Sequence, residues 1–247
     1  MNYQQVEEKI KAQYRQVADQ YRRDDEIEVR TETHRRLGQR LRALSASFGR
    51  PITVLDAGCG TGRYFHCLEN VAHLTGVDVS EEMLVAAADP VQAHELTARE
   101  IKLLCANIFG VTFPNSSFDL IYSLGMFGHG CPLTVEICDR FHDWLKPGGK
   151  LFFSVVDFAA LPWASRVRRQ ARRMVYPLLP ARLQRVLDRR EKHGPFFGLT
   201  RRQLVAILRR TQLKTLDVSV RVCQSPIWSG RQLECLSSKL SAATPGL

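Results

Sequence analysis

Apolar and polar positions in the N-terminal part of the chain, from Met1 to Phe48, follow the period of an α-helix. Apolar side chains recur every three or four positions from Val6 to Tyr21, and the same spacing returns from Leu37 to Leu44. A helix with this pattern packs one face against a core and leaves the other in solvent. The pattern therefore predicts a helical segment at the N-terminus.

From position 51 the period of the apolar positions changes. Short apolar runs now alternate with stretches that keep a helical spacing. The predicted strands are ITVLDAG, HLTGVDVS, IKLLCAN, FDLIYSLG and KLFFSVVDF, and the predicted helices lie near 61–70, 80–88 and 133–145. Strands this apolar are buried on both faces, which is typical of a parallel sheet covered by helices on each side. LKPGGK, residues 145–150, predicts a sharp stop between helix and strand.

The alternation stops after Asp157. Residues 160–193 contain two short helix candidates separated by YPLLP, and the first carries an apolar stripe opposite its arginines. The stripe consists of Trp163, Val167, Met174 and Leu178. Beyond it, Thr200 is the predicted N-cap of another helix, LDVSVRV and RQLECLS are predicted strands, and the tail from about position 237 is expected to be loose.

Positive charge is concentrated in the segment 160–193. The net charge of the chain is +10, and this segment carries ten Lys and Arg residues against two acidic ones. The remaining composition, 45% hydrophobic and 24% charged, is ordinary for a soluble globular protein. No apolar run reaches the ~20 residues of a membrane span, and the polar N-terminus does not resemble a secretory signal. We therefore expect a cytoplasmic protein.

The seven cysteines are scattered along the chain. None forms a CxxC pair, and none combines with histidine at the sequence spacing of a zinc site. Free thiols in a reducing compartment are the expectation, and no metal site is predicted.

The stretch VLDAGCGTGRYF, residues 54–65, places three glycines on alternate positions after Asp56. They are Gly58, Gly60 and Gly62. The flanking pattern predicts a strand, a tight turn and a helix, and glycine in the turn lets the backbone approach a ligand closely. A P-loop needs Lys followed by Ser or Thr, which is absent here, and a dinucleotide turn prefers a third glycine where Arg63 stands.

Asp78 ends the second predicted strand, the one that follows the glycine turn along the chain. A carboxylate at that place can accept hydrogen bonds from both hydroxyls of a ribose. The chain thus combines a candidate ribose clamp with a close-approach turn and lacks a dedicated phosphate cradle. An adenosine cofactor without phosphates fits these features best.

Four motifs resemble, in order and spacing, those of class I S-adenosylmethionine-dependent methyltransferases. They are VLDAGCGTG, GVDVSEEML, CANIFGVTFPNSSFDLIYS and LKPGGKLFFSV. The resemblance covers residues 50–157 and, more loosely, 195–236. It implies an α/β fold with a Rossmann-like, seven-stranded, mostly parallel sheet, helices on both faces, N-terminal helices and a helical cap insertion. It also implies a small-molecule methyltransferase that uses S-adenosyl-L-methionine.

The resemblance implies a set of cofactor-binding residues. They are Tyr21, Asp56, Gly58, Cys59, Gly60, Gly62, Asp78, Val79, Met83, Asn107, Ile108 and Ser123. Relatives usually have Asp where this chain has Asn107, and the Asn carbonyl oxygen can still accept the adenine amino hydrogen. Met83 fits a core position as well as an adenine contact. Tyr14 and Tyr21 also fit a helix core, although a tyrosine of this helix reaches the cofactor in relatives.

The chain divides into five predicted parts. They are an N-terminal helical segment at 1–50, a cofactor-binding core at 51–157, a basic helical cap at 158–196, the C-terminal part of the core at 197–236 and a flexible tail at 237–247. Relatives place an acceptor lid where the cap interrupts this fold. We therefore expect the cap to select the methyl acceptor.

The loop SLGMFGHG, residues 123–130, follows the fourth strand, where such sheets bind ligands. His129 is its only side chain that titrates near neutral pH, so it is the candidate general base, and a loop histidine without a role is the alternative. Asp157, at the end of the fifth strand, is a weaker candidate. The loop lacks the [DNS]PP[YF] motif of DNA amino-methyltransferases and the acidic residues that hold polyamines. A small molecule, of lipophilic or acidic character, is the expected acceptor.

Four roles stay open for the basic segment. It can be a solvated arginine face over an apolar stripe packed on the domain, an attractor for an acidic acceptor, a surface that contacts anionic membrane, or an RNA contact. RNA is the least favoured, because no aromatic platform accompanies the charge. The alternatives to a small-molecule methyltransferase are an RNA-directed methyltransferase and a non-catalytic cofactor-binding protein. The sequence does not determine the oligomeric state.

Overall fold

The computed structural model describes residues 3–128, 131–175, 178–180, 183 and 196–241. Within these ranges the chain forms six α-helices and seven β-strands. The helices are α1 (Tyr3–Glu28), α2 (Glu32–Ala46), α3 (Glu81–Ala87), α4 (Val135–Trp144), α5 (Trp163–Val175) and α6 (Arg201–Leu208). The strands are β1 (Ile52–Ala57), β2 (Val71–Asp78), β3 (Glu100–Cys105), β4 (Phe118–Phe127), β5 (Leu145–Val156), β6 (Lys214–Gln224) and β7 (Ser229–Ser238).

All seven strands join one sheet in the order β3-β2-β1-β4-β5-β7-β6. The five strands from β1 to β5 pair in parallel, and β7 lies antiparallel between β5 and β6. The mostly parallel α/β fold expected from the alternating pattern is confirmed.

The sheet has a hydrophobic core on each face. On one face Leu55 of β1 packs in a cluster with Phe141 of α4 and Leu204 of α6. On the other, Val54 of β1 packs in a cluster with Leu41 of α2. Successive side chains of a strand point to opposite faces, so a strand that is apolar at every position is buried on both sides.

Four of the helices begin at a hydroxyl side chain that caps a free backbone N–H. Thr31, Ser80, Thr134 and Thr200 accept from the backbone amides of His34, Met83, Ile137 and Gln203. Thr200 and Gln203 also form a reciprocal capping box, which confirms the predicted start of α6.

The helix predicted near residues 61–70 is wrong. Only one 3-10 turn, Phe65–Cys67, follows the glycine turn. The segment is bounded by left-handed residues, Gly62 at φ 75° and Asn70 at φ 55°, and Leu68 is already extended. Because Phe65, Cys67 and Leu68 are all buried, the segment folds onto α2 with a spacing that a regular helix does not provide.

The basic segment leaves the sheet at Asp157 and returns where Leu199 pairs with the same residue. Its first helix is α5, and the second predicted helix lies outside the described residues. The apolar stripe on and just beyond α5 is exposed: Trp163 is 71% exposed, Met174 66% and Leu178 82%. Of the four roles left open for the basic segment, the one with an apolar stripe packed on the domain does not agree with this exposure. In the part of the chain that is described, every helix is too short or too polar to span a bilayer.

Candidate active site

A cleft of about 730 Å³ opens at the carboxyl ends of β1, β2 and β4, against α1. Parallel strands present their carboxyl ends at one edge of the sheet, where ligands bind in folds of this class. Ten of the twelve predicted cofactor-binding residues line this cleft. They are Tyr21, Asp56, Gly58, Cys59, Gly60, Asp78, Val79, Met83, Asn107 and Ile108.

The floor of the cleft is the glycine turn that follows β1. Gly58, Gly60 and Gly62 have φ of 78°, 52° and 75°, a region that residues with a Cβ adopt at a cost. The turn is tied to β2, because the amides of Gly58 and Cys59 donate to the Val77 carbonyl at 2.8 and 3.0 Å. A Cβ on Gly60 would meet no atom within 4 Å, so this position is open toward the cleft.

Asp78 accepts a backbone hydrogen bond on each carboxylate oxygen. The Gly60 amide donates to Oδ2 at 2.9 Å, and the Ser80 amide donates to Oδ1 at 3.0 Å. Burial raises the pKa of Asp78, and hydrogen bonds from the backbone amides of Ser80, Gly60 and Val79 oppose that rise. These bonds fix the carboxylate at the edge of the cleft.

Asp56 is buried in the wall of the cleft. Burial raises its pKa to about 8, the nearby Tyr122 hydroxyl lowers it, and the negative charge of Asp78 raises it again. A carboxyl of this kind is set to ionise when a positive charge enters the cleft.

Gly62 and Ser123 do not line the cleft, and their predicted cofactor contact stays a prediction. A Cβ on Gly62 would lie 2.8 Å from the Phe65 ring, so the residue permits close packing behind the turn. The Ser123 hydroxyl donates to the Ala57 carbonyl at 2.7 Å and joins β4 to the end of β1.

Asn107, Met83 and Ile108 lie together in the part of the cleft beyond β2. The Asn107 Oδ1 accepts from the Phe109 amide at 2.9 Å, and its backbone carbonyl accepts from Gly110 and Val111. This turn fixes the amide side chain much as it would fix an aspartate. Met83 and Ile108 are almost fully buried and give this end of the cleft an apolar surface.

Helix α1 is fastened to the glycine turn by a residue that sequence analysis did not single out. Asp25 is fully buried, and its carboxylate accepts from the Thr61 hydroxyl and pairs with the Arg63 guanidinium. Burial raises the pKa of Asp25, and the Arg63 charge opposes this. An acid inside a polar helix carries no sequence signal, because its partners lie 36 and 38 positions away.

Tyr14 and Tyr21 of α1 also line the cleft. Their rings meet edge to face with centroids 5.8 Å apart. Burial raises the pKa of both phenols, so both hydroxyls stay protonated near neutral pH. The structure thus places these residues at the cleft rather than wholly in a helix core.

The outer part of the cleft is built by β6, β7, the turn between them and residues from three other segments. Its apolar lining comprises Ile227 and Trp228 of that turn, Phe196 on the chain returning from the basic segment, Tyr64 after the glycine turn, Met126 of β4 and Leu161 before α5. Arg221 lies among them, donates to the Gln232 side chain at 2.6 Å and pairs with the buried Glu234. The alternating pattern predicted β6 and β7 but not that they border the cleft, because the pattern within a strand does not show which other elements lie next to it.

Of the two candidate bases, only Asp157 lies among the described residues. His129 lies outside the described residues, and its role stays a prediction. Asp157 does not line the cleft: it accepts from the Ala159 amide at 2.9 Å and pairs with Arg231 at 2.9 Å. Its position caps a short 3-10 turn and does not support a role as base.

The comparisons with known proteins agree with this geometry. Residues 54–149 match the model of a family described as a methyltransferase domain. The ubiquinone biosynthesis O-methyltransferase of Coxiella burnetii is 33% identical over 105 residues, which cover 42% of this chain and 43% of that protein. The match thus spans less than half the length of this curated relative.

Two solved structures are similar over nearly the whole chain. The N-methyltransferase NodS of Bradyrhizobium japonicum, in complex with S-adenosyl-L-homocysteine, has a TM-score of 0.61 at 18% identity and covers 92% of this chain and 98% of its own. The 1,6-didemethyltoxoflavin-N1-methyltransferase of Burkholderia thailandensis has a TM-score of 0.62 at 16% identity, with 98% and 92% covered. At these identities the likeness establishes the fold. Residues 54–149, less than half of the chain, thus match a methyltransferase domain, and the fold around them is the one seen in these two methyltransferases solved with S-adenosyl-L-homocysteine.

Proposed function

We propose that the protein transfers a methyl group from S-adenosyl-L-methionine to a small-molecule acceptor. The observation that carries the proposal is the meeting, in one cleft, of a positive-φ glycine turn with the Asp78 carboxylate. The two similar structures were solved with S-adenosyl-L-homocysteine, and two of the similar proteins are named for small molecules, 1,6-didemethyltoxoflavin and ubiquinone. The RNA-directed and non-catalytic alternatives are not favoured by these relatives.

The residues of the cleft fit an adenosine cofactor. The open space beside Gly60 leaves room for a ligand close to the turn. The Asp78 carboxylate can accept hydrogen bonds from the ribose hydroxyls. Met83 and Ile108 offer apolar surface to a flat ring. Asp56, whose pKa is raised to about 8, loses its proton more readily when a cation lies beside it.

When bound, S-adenosyl-L-methionine supplies a methyl group on a positively charged sulfur, which makes it ready for in-line displacement. The contribution of this chain is to hold the acceptor in line and to exclude water. Tyr14 and Tyr21 bring α1 against the cofactor end of the cleft. A protonated acceptor also needs a base, and His129 stays our proposal for it, while Asp24 and Glu28 are carboxylates that line the cleft.

The outer wall supports a planar, largely apolar acceptor. Tyr64, Phe196 and Trp228 offer aromatic faces there, and flat rings stack well on such faces. The Arg169 guanidinium lies 4.3 Å from the centroid of the Phe196 ring and places positive charge beside that surface. We therefore propose an aromatic acceptor with a polar or acidic substituent.

Helix α5 supports a second, finer part of the proposal, a peripheral contact with anionic membrane. Its apolar side chains are exposed, and the segment that contains it has a large excess of positive charge. This combination is typical of helices that lie in the membrane interface. Such a contact would bring the acceptor end of the cleft near a lipophilic substrate.

Calorimetry with the purified protein tests cofactor binding. S-adenosyl-L-homocysteine should bind the wild type, and NAD should not. Asp78→Ala removes charged acceptors for the ribose hydroxyls, worth about 1.5–3 kcal/mol each, so affinity should fall at least tenfold. Asp89→Ala, at an exposed position just after α3, is the matched control and should bind normally. Unchanged affinity in a folded Asp78→Ala protein would refute the cofactor assignment.

A further inference from the structure

Three buried side chains with metal-binding atoms meet behind the glycine turn, and none of them lines the cleft. They are His34, His66 and Cys67, whose exposed fractions are only 4%, 7% and 4%. The two Nε2 atoms lie 3.4 Å apart, and the Cys67 Sγ lies 3.7 Å from the Nε2 of His34 and 3.4 Å from that of His66. In the described part of the chain this is the only such group of three His, Cys or acidic residues.

The fold holds these side chains in place from two directions. His34 is on α2, while His66 and Cys67 belong to the 3-10 turn that replaces the predicted helix. The ring of Tyr64 stacks on His34 with centroids 5.1 Å apart, and His34 in turn stacks on His66 at 5.3 Å. Packing on both sides fixes where the imidazole nitrogens lie.

Gly38, one helical turn after His34, makes room for the thiol. A Cβ at this position would lie 2.8 Å from the Cys67 Sγ, a distance that real Cβ contacts do not show. Any larger residue on α2 would therefore push the sulfur out of the group.

The triangle of donor atoms has the dimensions of one face of a tetrahedral zinc site. Zinc binds imidazole nitrogen at about 2.0–2.1 Å and thiolate sulfur at about 2.3 Å. With tetrahedral angles, those lengths place two nitrogens about 3.3–3.4 Å apart and a nitrogen and a sulfur about 3.6 Å apart. The observed separations of 3.4, 3.4 and 3.7 Å match all three edges.

Hydrogen bonds among the three side chains explain the arrangement less well. Hydrogen bonds between nitrogen and an acceptor are usually about 2.9–3.0 Å long, whereas the two imidazole nitrogens are 3.4 Å apart. Neither Nδ1 atom has a hydrogen-bond partner within the described part of the chain. Each ring thus leaves one buried nitrogen without a hydrogen bond in the described part of the chain, although buried polar atoms normally have one.

We propose that His34, His66 and Cys67 supply three of the four ligands of a structural zinc ion, with a small exogenous ligand as the fourth. The ion would join α2 to the segment after the glycine turn, where a 3-10 turn stands in place of the predicted helix. Its role would be to hold that segment, and with it the glycine turn, on the N-terminal helices. Sequence analysis predicted no such site, because the ligands follow no zinc spacing.

The first test uses the metal-free wild-type protein and Co²⁺ as a spectroscopic probe. We expect about one equivalent to bind, with a thiolate-to-cobalt charge-transfer band and the intense visible bands of a four-coordinate ion. Zn²⁺ should displace the cobalt. Saturating Zn²⁺ should also raise the melting temperature by several degrees, since a ligand that binds only the folded state stabilises it.

Variants locate the site. Cys67→Ser and His66→Gln should each weaken Zn²⁺ binding by at least about 100-fold, since even changes to groups that merely orient a ligand cost about 10–100-fold. Gly38→Ala should also weaken it, although it removes no ligand. Cys138→Ser, a buried thiol on α4 at the other face of the sheet, is the matched control. Cys105→Ser removes the exposed thiol, and both controls should bind Zn²⁺ normally.

A cobalt spectrum without the thiolate band and a melting temperature indifferent to Zn²⁺ would overturn the proposal and leave a hydrogen-bonded triad only. So would equal binding by wild type, Cys67→Ser and His66→Gln. If a ligand variant does not fold, the spectrum of the wild type and of the two control variants still decides. None of these outcomes depends on methyl transfer, so the site can fail while the proposed function stands.

Discussion

The region around the glycine turn and helix α5 both depart from the usual pattern of apolar residues inside and charged residues outside. The first buries acidic residues, and the second exposes apolar ones. Around the glycine turn, Asp25 and Asp56 are acidic residues that are 0% and 3% exposed. In α5, Trp163 and Met174 are large apolar residues that are 71% and 66% exposed. Buried acids are rare because desolvation is costly, and exposed apolar stripes leave apolar area in water.

The difference lies in what compensates each reversal. Asp25 is satisfied inside the protein by Thr61 and Arg63, so the cost of burial is offset by contacts that also position the glycine turn. The α5 stripe has no such compensation within the described part of the chain, and its apolar area is open to a partner. The buried contacts of Asp25 therefore fix the position of the glycine turn, whereas α5 presents an apolar surface that a partner can cover.

The largest expected effect comes from breaking the buried clamp. Asp25→Ala leaves Arg63 and Thr61 without their partner, and we expect it to lower the free energy of unfolding by about 2–3 kcal/mol, because removing one side of a buried ion pair strands the other. Affinity for S-adenosyl-L-homocysteine should fall as well, since the turn is released from α1. Denaturant unfolding and calorimetry measure both.

Asp19→Ala is the control on the same helix. Asp19 is exposed and does not line the cleft, so its loss should change stability by less than about 0.5 kcal/mol. Equal effects of the two variants would mean that Asp25 is not the residue that fastens α1.

The next prediction concerns how stability depends on pH, because the pKa of one buried acid, Asp56, is raised and that of another, Asp119, is lowered. Burial raises the pKa of Asp56 to about 8, so between about pH 4 and pH 8 the folded state holds a proton that the unfolded state has lost. The wild type should therefore lose stability as pH rises through this window, because the unfolded chain releases a proton that the folded Asp56 retains. Asp56→Asn should flatten that slope in unfolding curves taken from pH 5 to pH 8.5.

Asp119 provides the opposite case at the start of β4. Burial raises its pKa, but hydrogen bonds from Arg50 and Lys146 outweigh this and hold it below its usual range. Its contribution to stability is lost only as pH falls into the acid range, so Asp119→Asn should destabilise the protein evenly between pH 5 and pH 8. If stability still falls with rising pH in Asp56→Asn, a group other than Asp56 causes the fall.

The smallest effect on stability is expected at α5. Replacing Trp163 and Met174 with Ser should change the free energy of unfolding by less than about 0.5 kcal/mol per site, because exposed side chains away from special contacts contribute little. The same variant should bind anionic vesicles more weakly. Replacing Arg168, Arg172 and Arg173 with Gln should weaken vesicle binding by about 1 kcal/mol per charge near the surface.

Arg202→Gln with Arg209→Gln and Arg210→Gln, at exposed positions on and just after α6, removes the same three charges elsewhere and should bind vesicles like the wild type. If none of the α5 substitutions weakens vesicle binding, the proposed membrane contact of α5 is contradicted. A rise in KM without a change in vesicle binding would instead assign the arginines to an acidic acceptor.

Local sequence decided the features that depend on neighbours along the chain. Apolar runs buried on both faces specify parallel strands, and Thr200 with Gln203 specifies a helix start. Glycine after Asp56 specifies a turn with positive φ, and strand length then places Asp78 beside it. Each of these follows from backbone sterics or periodicity within a short stretch of chain, which is why the sequence predicted the fold and ten of the residues that line the cleft.

Only the tertiary structure decided which distant residues meet. Asp25 reaches Thr61, and His34 reaches Cys67, across more than 30 positions. The segment after Gly62 became a 3-10 turn because its side chains had to pack against α2, which overrode its helical pattern. Burial and partner contacts depend on how whole elements dock, and the free energy of docking is shared over many residues, so no short stretch of the chain contains it.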